Sequence, residues 1–309
     1  MRYKERFKSH HDAARELKRY FTASVDKSEY LAELLRRPAR RPRVIYLHVP
    51  FCNKICSFCP FHRPDALKRR EYDKYLINDI KKIADYEYMR APVNAVYFGG
   101  GTPTALSPKQ MERVLKELKS NFSIASGAEI SVETSVTELT DEMLHALKEN
   151  GVNRLSVGVQ TFDDNTRKLL NRRGSGEAAV ETLKRALATG ITNVGVDLIY
   201  NYPRQTVTEL QRDLDIVKSL NLAGVSMYSL MLHERTPLAK KITEPERAAM
   251  RDIWRDAEFF YLIADELSSR GFEFFELTKM IRSGLDRYEY MRVRHGGGSC
   301  IALGRGAGG

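Results

Sequence analysis

The sequence is poor in cysteine and tryptophan, has no long apolar run, and is short of acid relative to base. Four cysteines and one tryptophan occur in 309 residues. Three of those cysteines crowd together and the fourth lies far away. That excludes a disulfide scaffold and fits a reducing cytoplasm, with a metal or redox role for the thiols. No stretch approaches the roughly eighteen apolar residues of a membrane span. The opening MRYKERFKSHHDAAREL lacks an apolar core and a small-residue cleavage site, so no secretory signal is expected. Internal repeats and extended low-complexity tracts are also missing. What remains is 42% hydrophobic and 29% charged residues, the balance of an ordinary soluble enzyme and not of a disordered chain. The length allows one large α/β domain or two ordinary ones.

The net charge of +10 is uneven. Residues 1–43 hold thirteen Lys or Arg against six Asp or Glu, and so form a basic N-terminal extension. Such a segment suits an anionic partner: nucleic acid, a membrane surface or a carboxylate-rich small molecule. A solvated extension explains it equally simply and is the reading adopted, with no nucleic-acid partner expected.

From residue 44 a regular alternation begins. The runs VIYLHVPF, NAVYFGG, EISVETS, RLSVGVQ, NVGVDLIY and GVSMYSL read as strands with helical patterns between them. Tyr72, Leu76, Ile80 and Ile83 fall on one helical face. Ser107-Pro108-Lys109-Gln110 reads as an N-cap, a first-turn proline and a capping-box glutamine. Val207, Leu210, Leu214 and Val217 mark another amphipathic helix, opened by Thr206 and Glu209 as a capping box. Six βα units imply a parallel sheet, either doubly wound or rolled into a barrel, with apolar residues on both faces of several strands. A single long helix is expected at about 246–269, followed by a strand in FEFFEL. The chain divides into the extension 1–43, a core 44–235 and a helix/strand segment 236–309. Its stop on glycine soon after Ile301-Ala302-Leu303 suggests that the C-terminal region is incomplete.

In parallel α/β folds, function gathers where strands end at their carboxyl side. The first strand runs into Cys52, Cys56 and Cys59, spaced C-x3-C-x2-C. The second ends in GGGTPT, the third at Glu133 and the fourth at Gln160; the fifth contains Asp197. Three thiolates so close in sequence can hold three corners of a cuboidal iron–sulfur cluster, leaving one iron open. Cys300 as a fourth ligand would close the cluster. Zinc completed by His48 or His62 is the other alternative. The glycines of GGGTPT permit close ligand approach, but glycine turns also arise for steric reasons alone. The loop matches neither the P-loop nor the dinucleotide fingerprint. Glu133 in an apolar strand needs a partner, such as a ligand ammonium or ribose, or a nearby Lys or Arg. Gln160 is open to a similar choice between ligand contact and core amide.

Tyr46-Leu47-His48-Val49-Pro50-Phe51-Cys52, the cysteine spacing, GGGTPT and SVGVQTFDD together resemble the radical S-adenosylmethionine enzymes. Within them they resemble the branch of oxygen-independent coproporphyrinogen III oxidase, its heme-chaperone relatives and related methyltransferases. The likeness runs from about residue 44 to 235, weakening toward the final glycines. It implies a partial (β/α)6 TIM-like barrel in which Cys52, Cys56 and Cys59 ligate a [4Fe–4S] cluster and S-adenosylmethionine chelates the open iron. Tyr46, Gly100 and Glu133 match contacts to this first S-adenosylmethionine. Phe58, Gly101, Thr102, Gln160, Arg172 and Asp197 match those to a second molecule, and Met231 stands at a further second-site position. The implied chemistry is one-electron cleavage of the sulfonium to methionine and a 5′-deoxyadenosyl radical, which takes hydrogen from a substrate.

Departures narrow the branch. The oxidases carry another cysteine two places after the motif, where this chain has Phe61 after Pro60. The heme chaperones lack that cysteine too, but end their pattern on GAGAH, against Gly306-Ala307-Gly308-Gly309 here. The GAGG ending and basic extension look more like the heme-utilisation members, which methylate and open the porphyrin ring. The resemblance therefore implies a cytoplasmic radical methyltransferase acting anaerobically on heme or a related tetrapyrrole, with flavodoxin or ferredoxin as electron donor. A heme-delivery protein (with His10, His11, His48 and His62 as conceivable ligands), an oxidase and a natural-product methylase or cyclopropanase are the alternatives.

Overall fold

The computed structural model describes residues 27–61 and 66–307. The basic stretch 1–26, His10, His11, His62 and the closing Gly308-Gly309 lie outside the described residues.

All six expected strands form: β1 (Arg43–Val49), β2 (Val93–Gly100), β3 (Ile124–Ser135), β4 (Arg154–Gln160), β5 (Asn193–Tyr200) and β6 (Gly224–Ser229). They lie side by side in sequence order and pair in parallel. With right-handed crossovers, an order that never reverses returns every helix to the same face. There is thus no doubly wound switch point, and the six units form the partial TIM-like barrel.

The described part of the C-terminal segment, residues 236–307, extends both edges of this sheet. β7 (Phe272–Glu276) and β8 (Lys279–Arg282) add antiparallel strands beyond β6, while β9 (Ser299–Leu303) pairs in parallel with β1. The single helix expected at 246–269 is two, Glu244–Arg251 and Ile253–Ser268. Asp252 divides them because its extended backbone frees its carboxylate to accept from Trp254 N at 2.9 Å, capping the second helix. Among the described residues, no helix is long and apolar enough to cross a membrane.

The helices cover the outer face. Leu76 and Ile80 of Tyr72–Ala84, Leu115 and Leu118 of Pro108–Asn121, and Leu210 and Leu214 of Val207–Ser219 join one buried cluster with Leu47, Phe98, Val132, Val157 and Val196. Each such side chain contributes about 1.5–3 kcal/mol on burial. Ser107 and Gln110 form the expected capping box, and Gln110 Nε2 reaches across to Asp73 Oδ1 at 2.8 Å. That contact locks two neighbouring helices together at their ends. Thr206 and Glu209 cap the later helix in the same way.

The expectation of apolar residues on both faces holds for β1 and β2, where Val44, Ala95 and Tyr97 face inward, but not for β3 to β5. Period-two alternation puts Glu129, Ser131 and Glu133 of β3, Arg154 and Ser156 of β4, and Asn193 and Asp197 of β5 opposite the residues in the outer core. Three of these polar groups, Glu129, Arg154 and Asn193, bond to a segment from the far end of the chain. Asp286 accepts from Arg154 Nε at 3.0 Å and Nη2 at 3.1 Å, from Asn193 Nδ2 at 2.8 Å and from Tyr288 N at 2.9 Å. The helix Glu289–His295 then sets Tyr290 and Val293 against Val44, Ala95 and Tyr97. The segment fills the interior near the amino-terminal ends of the strands and leaves the opposite rim open.

Candidate functional site

The cysteine loop leaves β1 at Val49 and is stapled on both sides. Toward β2, Gly101 N donates to Val49 O at 2.9 Å and Thr102 N to Phe51 O at 2.7 Å. These bonds carry the β1–β2 pairing past the strand ends and fix the start of the loop. Gly101 has to lack a side chain, since a Cβ there would lie 2.5 Å from Phe51 O and 3.0 Å from Cys52 Sγ. Gly100 has φ +120°, a conformation that only glycine adopts freely. On the other side, Ser57 N donates to Leu170 O at 3.0 Å and Ser57 Oγ to Leu169 O at 2.7 Å. Asn171 Nδ2 donates to Ile55 O at 2.6 Å from a left-handed residue, φ +57°.

Cys52, Cys56 and Cys59 line one cavity of about 490 Å³. Tyr46, Phe58, Gly100, Gly101, Thr102, Glu133, Gln160, Arg172 and Asp197 line the same cavity, so all twelve selected positions meet there. Met231 and Cys300 are not among its lining residues. Cys300 pairs with Val44 on β9. That is five residues before the end of β1, or roughly 17 Å below the rim at strand rise. Its thiol instead faces the Tyr290 hydroxyl at 3.9 Å. A closed cluster completed by Cys300 does not fit this placement.

The zinc alternative can be followed only at His48, since His62 lies outside the described residues. His48 lines the cavity, but its Nδ1 is engaged with the Tyr46 hydroxyl at 3.0 Å. Among the described residues, no three His, Cys, Asp or Glu side chains converge as a single ion requires. Three thiols around one cavity, with adjoining wall left to other groups, suit a polynuclear iron–sulfur cluster with an exchangeable position.

The electrostatics of the opposite wall are set by burial. Glu133 accepts from the Tyr97 hydroxyl at 2.8 Å and from Gly100 N at 3.2 Å. Desolvation pushes its pKa up to about 7; these two bonds oppose the shift and nearby Asp197 adds to it. The bland alternative, neutralisation by an adjacent Lys or Arg, is not what the hydrogen bonds show. Asp197 Oδ1 is held by Ser156 Oγ at 3.0 Å. Gln160 ends β4 at φ +76°, beside an irregularity in the pairing with β5. A non-glycine residue held in that region carries strain of about 1–3 kcal/mol and is typical of a ligand-binding wall. Burial raises the Tyr46 phenol and lowers the His48 imidazole.

Sequence reasoning missed Tyr97 and Ser156, which orient the two carboxylates. The available signal was their position two residues from a glycine on inward-facing alternation, in YFGG and SVG. Phe61, singled out by its departure from the oxidases, is an exposed residue lining the cavity.

The Radical SAM superfamily profile matches residues 46–217. Over 279 residues the chain is 32% identical to an anaerobilin synthase of Escherichia coli O157:H7, covering 87% of this chain and 61% of that protein. It is 30% identical over 252 residues to the heme chaperone HemW of Lactococcus lactis subsp. lactis, strain IL1403, covering 81% and 64% respectively. The solved structure of coproporphyrinogen III oxidase (HemN) from Escherichia coli, described as a radical SAM enzyme, superposes with a TM-score of 0.78 at 27% identity. That match covers 94% of this chain and 72% of the other. The chain thus spans less than two thirds of the length of either curated relative.

Proposed function

The chain belongs to the radical SAM superfamily, and on that premise we propose that it methylates and opens heme or a related tetrapyrrole under anaerobic conditions. The superfamily uses a [4Fe–4S] cluster and S-adenosylmethionine. The observation that carries the reading is the meeting of three thiols and nine matching positions on one cavity wall. What the bound cofactors supply is one-electron cleavage of the sulfonium and a carbon-centred radical.

The residues' own work follows from their geometry. Cys52, Cys56 and Cys59 would hold the cluster, on a loop fixed from both sides. Around it, Tyr46, Gly100 and Glu133 would seat the first S-adenosylmethionine. Glu133, oriented by Tyr97 and by Gly100 N, offers a carboxylate for an ammonium or ribose hydroxyl. Phe58, Gly101, Thr102, Gln160, Arg172 and Asp197 would seat a second molecule as methyl donor. Lys54 and Arg173 on the same cavity supply cations for the carboxylates of a propionate-bearing substrate. Phe61, where the oxidases have cysteine, favours this reading over oxidative decarboxylation. An electron donor such as flavodoxin or ferredoxin completes the proposal.

One anaerobic incubation tests it. Reconstituted protein with dithionite, S-adenosylmethionine and heme is expected to yield 5′-deoxyadenosine, S-adenosylhomocysteine and a methylated open tetrapyrrole. Stoichiometric heme binding without these products would refute turnover and support delivery. Deoxyadenosine with heme untouched would refute the substrate.

A further inference from the structure

Arg172 stands in the cavity wall between two claims on its guanidinium. Its Nη1 donates to Cys56 Sγ at 3.2 Å, and its Nη2 donates to Gly158 O at the end of β4. The contact with sulfur is built into the fold. The loop carrying Arg172 and the loop carrying Cys56 are joined by the Ser57–Leu170, Ser57–Leu169 and Asn171–Ile55 hydrogen bonds, on residues immediately flanking the pair. A second donor reaches another of the three sulfurs, Thr102 Oγ1 to Cys52 Sγ at 3.5 Å.

We propose that Arg172 is a positioning residue for the cluster itself, and that its charge-assisted bond to Cys56 raises the cluster's reduction potential. The inference rests on the reading of Cys52, Cys56 and Cys59 as ligands. Reduction places one additional electron on the cluster and its thiolates, with the external reductant losing it and no other bond changing. A guanidinium stays protonated at any working pH, so it stabilises the more negative, reduced state more than the oxidised one. Hydrogen bonds to ligand sulfur act in the same direction. Thr102, neutral and farther away, contributes a smaller share. Arg172 therefore eases electron entry, independently of any contact it makes with a second cofactor molecule.

The test is a redox titration of the reconstituted protein, following the electron paramagnetic resonance signal of the reduced cluster without S-adenosylmethionine. Arg172→Gln is expected to shift the midpoint to more negative potential. Arg172→Lys should shift it less, since the charge stays while the fork is lost, and Thr102→Val least. An Arg172→Gln protein with wild-type iron content and an unchanged midpoint overturns the proposal. Should that variant lose its iron, an unchanged midpoint in fully loaded Arg172→Met, which also removes the charge and the donor, overturns it instead. A wild-type protein that assembles no cluster at all would sink the ligand reading and this inference with it.

Discussion

Replacing Gly101 by alanine puts one methyl group where two loops touch. The new Cβ would lie 2.5 Å from Phe51 O and 3.0 Å from both Phe51 C and Cys52 Sγ. Ordinary contact begins near 3.4 Å. The Phe51 carbonyl must therefore retreat by close to an ångström, away from the Thr102 N–H that it accepts at 2.7 Å. Overpacking of this kind costs about 1–3 kcal/mol. Weakening the Thr102 bond adds about 1 kcal/mol. For a chain of this size the sum lowers the melting temperature by roughly 4–8 °C. The cysteine thiol beside the methyl moves as well, so iron bound per chain after reconstitution should fall below wild type. Gly127→Ala is the control: its φ is +72° but nothing lies within 4 Å of the added carbon. It should cost only the left-handed backbone penalty, about 1–2 kcal/mol, and load iron normally. A Gly101→Ala protein with full iron and the melting temperature of the control would refute the steric argument.

Glu133 should make stability fall as pH rises. Its folded pKa of about 7 lies above the unfolded value of 4.5, so the native state holds the extra proton between them, and up to about 3 kcal/mol is lost across that window. Thermal melts from pH 5 to 8 should show this slope in wild type and a shallower one in Glu133→Gln, where Asp213, raised to about 6 by burial, still contributes; equal slopes would refute the desolvated carboxylate. Asp286 acts in the opposite sense. Its pKa, lowered from 3.8 to about 2, contributes about 2 kcal/mol that is present above the unfolded value and lost as pH falls through the folded one. Asp286→Asn leaves Lys279 without its ion-pair partner and Arg154 with only Glu129, at 3.9 Å, which should cost about 3 kcal/mol by urea unfolding at pH 7. A loss below 1 kcal/mol would mean that the segment carrying Asp286 does not anchor the interior. Cys56→Ala should lose the brown cluster absorbance; a variant that kept it would refute that ligand assignment.

The parts of the fold legible in the sequence are those where local pattern and tertiary packing agree. Leu76 and Ile80, or Leu210 and Leu214, face the core because helical spacing leaves them no other side to occupy. Ser107 and Thr206 begin helices because their hydroxyls satisfy backbone donors three residues on. The cysteine loop, GGGTPT, Glu133, Gln160 and Asp197 could be gathered for a related reason, because parallel strands deliver their last residues to one rim; Tyr46, Phe58 and Arg172 entered only through the family resemblance. The inner face was not legible, because its partners are distant in the chain. Arg154 reads as an ordinary surface charge until Asp286, 132 residues later, is seen to hold it. Asp252 looks like one more polar residue on a long helix, and only its backbone shows that it ends one helix and caps the next.

That division also accounts for the cavity. A strand of alternating pattern presents one face to the helices and the other to the interior, so apolar outer residues supply the stability and leave the inner ones free to be polar. Polar inner groups still need partners. Near the amino-terminal ends, Asp286 and the Glu289 backbone N–H provide some of them within the protein, and Tyr290 and Val293 pack over the apolar inner residues. At the carboxyl rim, the Glu133 carboxylate keeps a raised pKa despite two hydrogen bonds, and Gln160 is held at positive φ. Groups left in that condition are cheaper to satisfy with a ligand than with solvent. The same alternation that builds the core therefore leaves polar side chains at the rim, next to the three thiols.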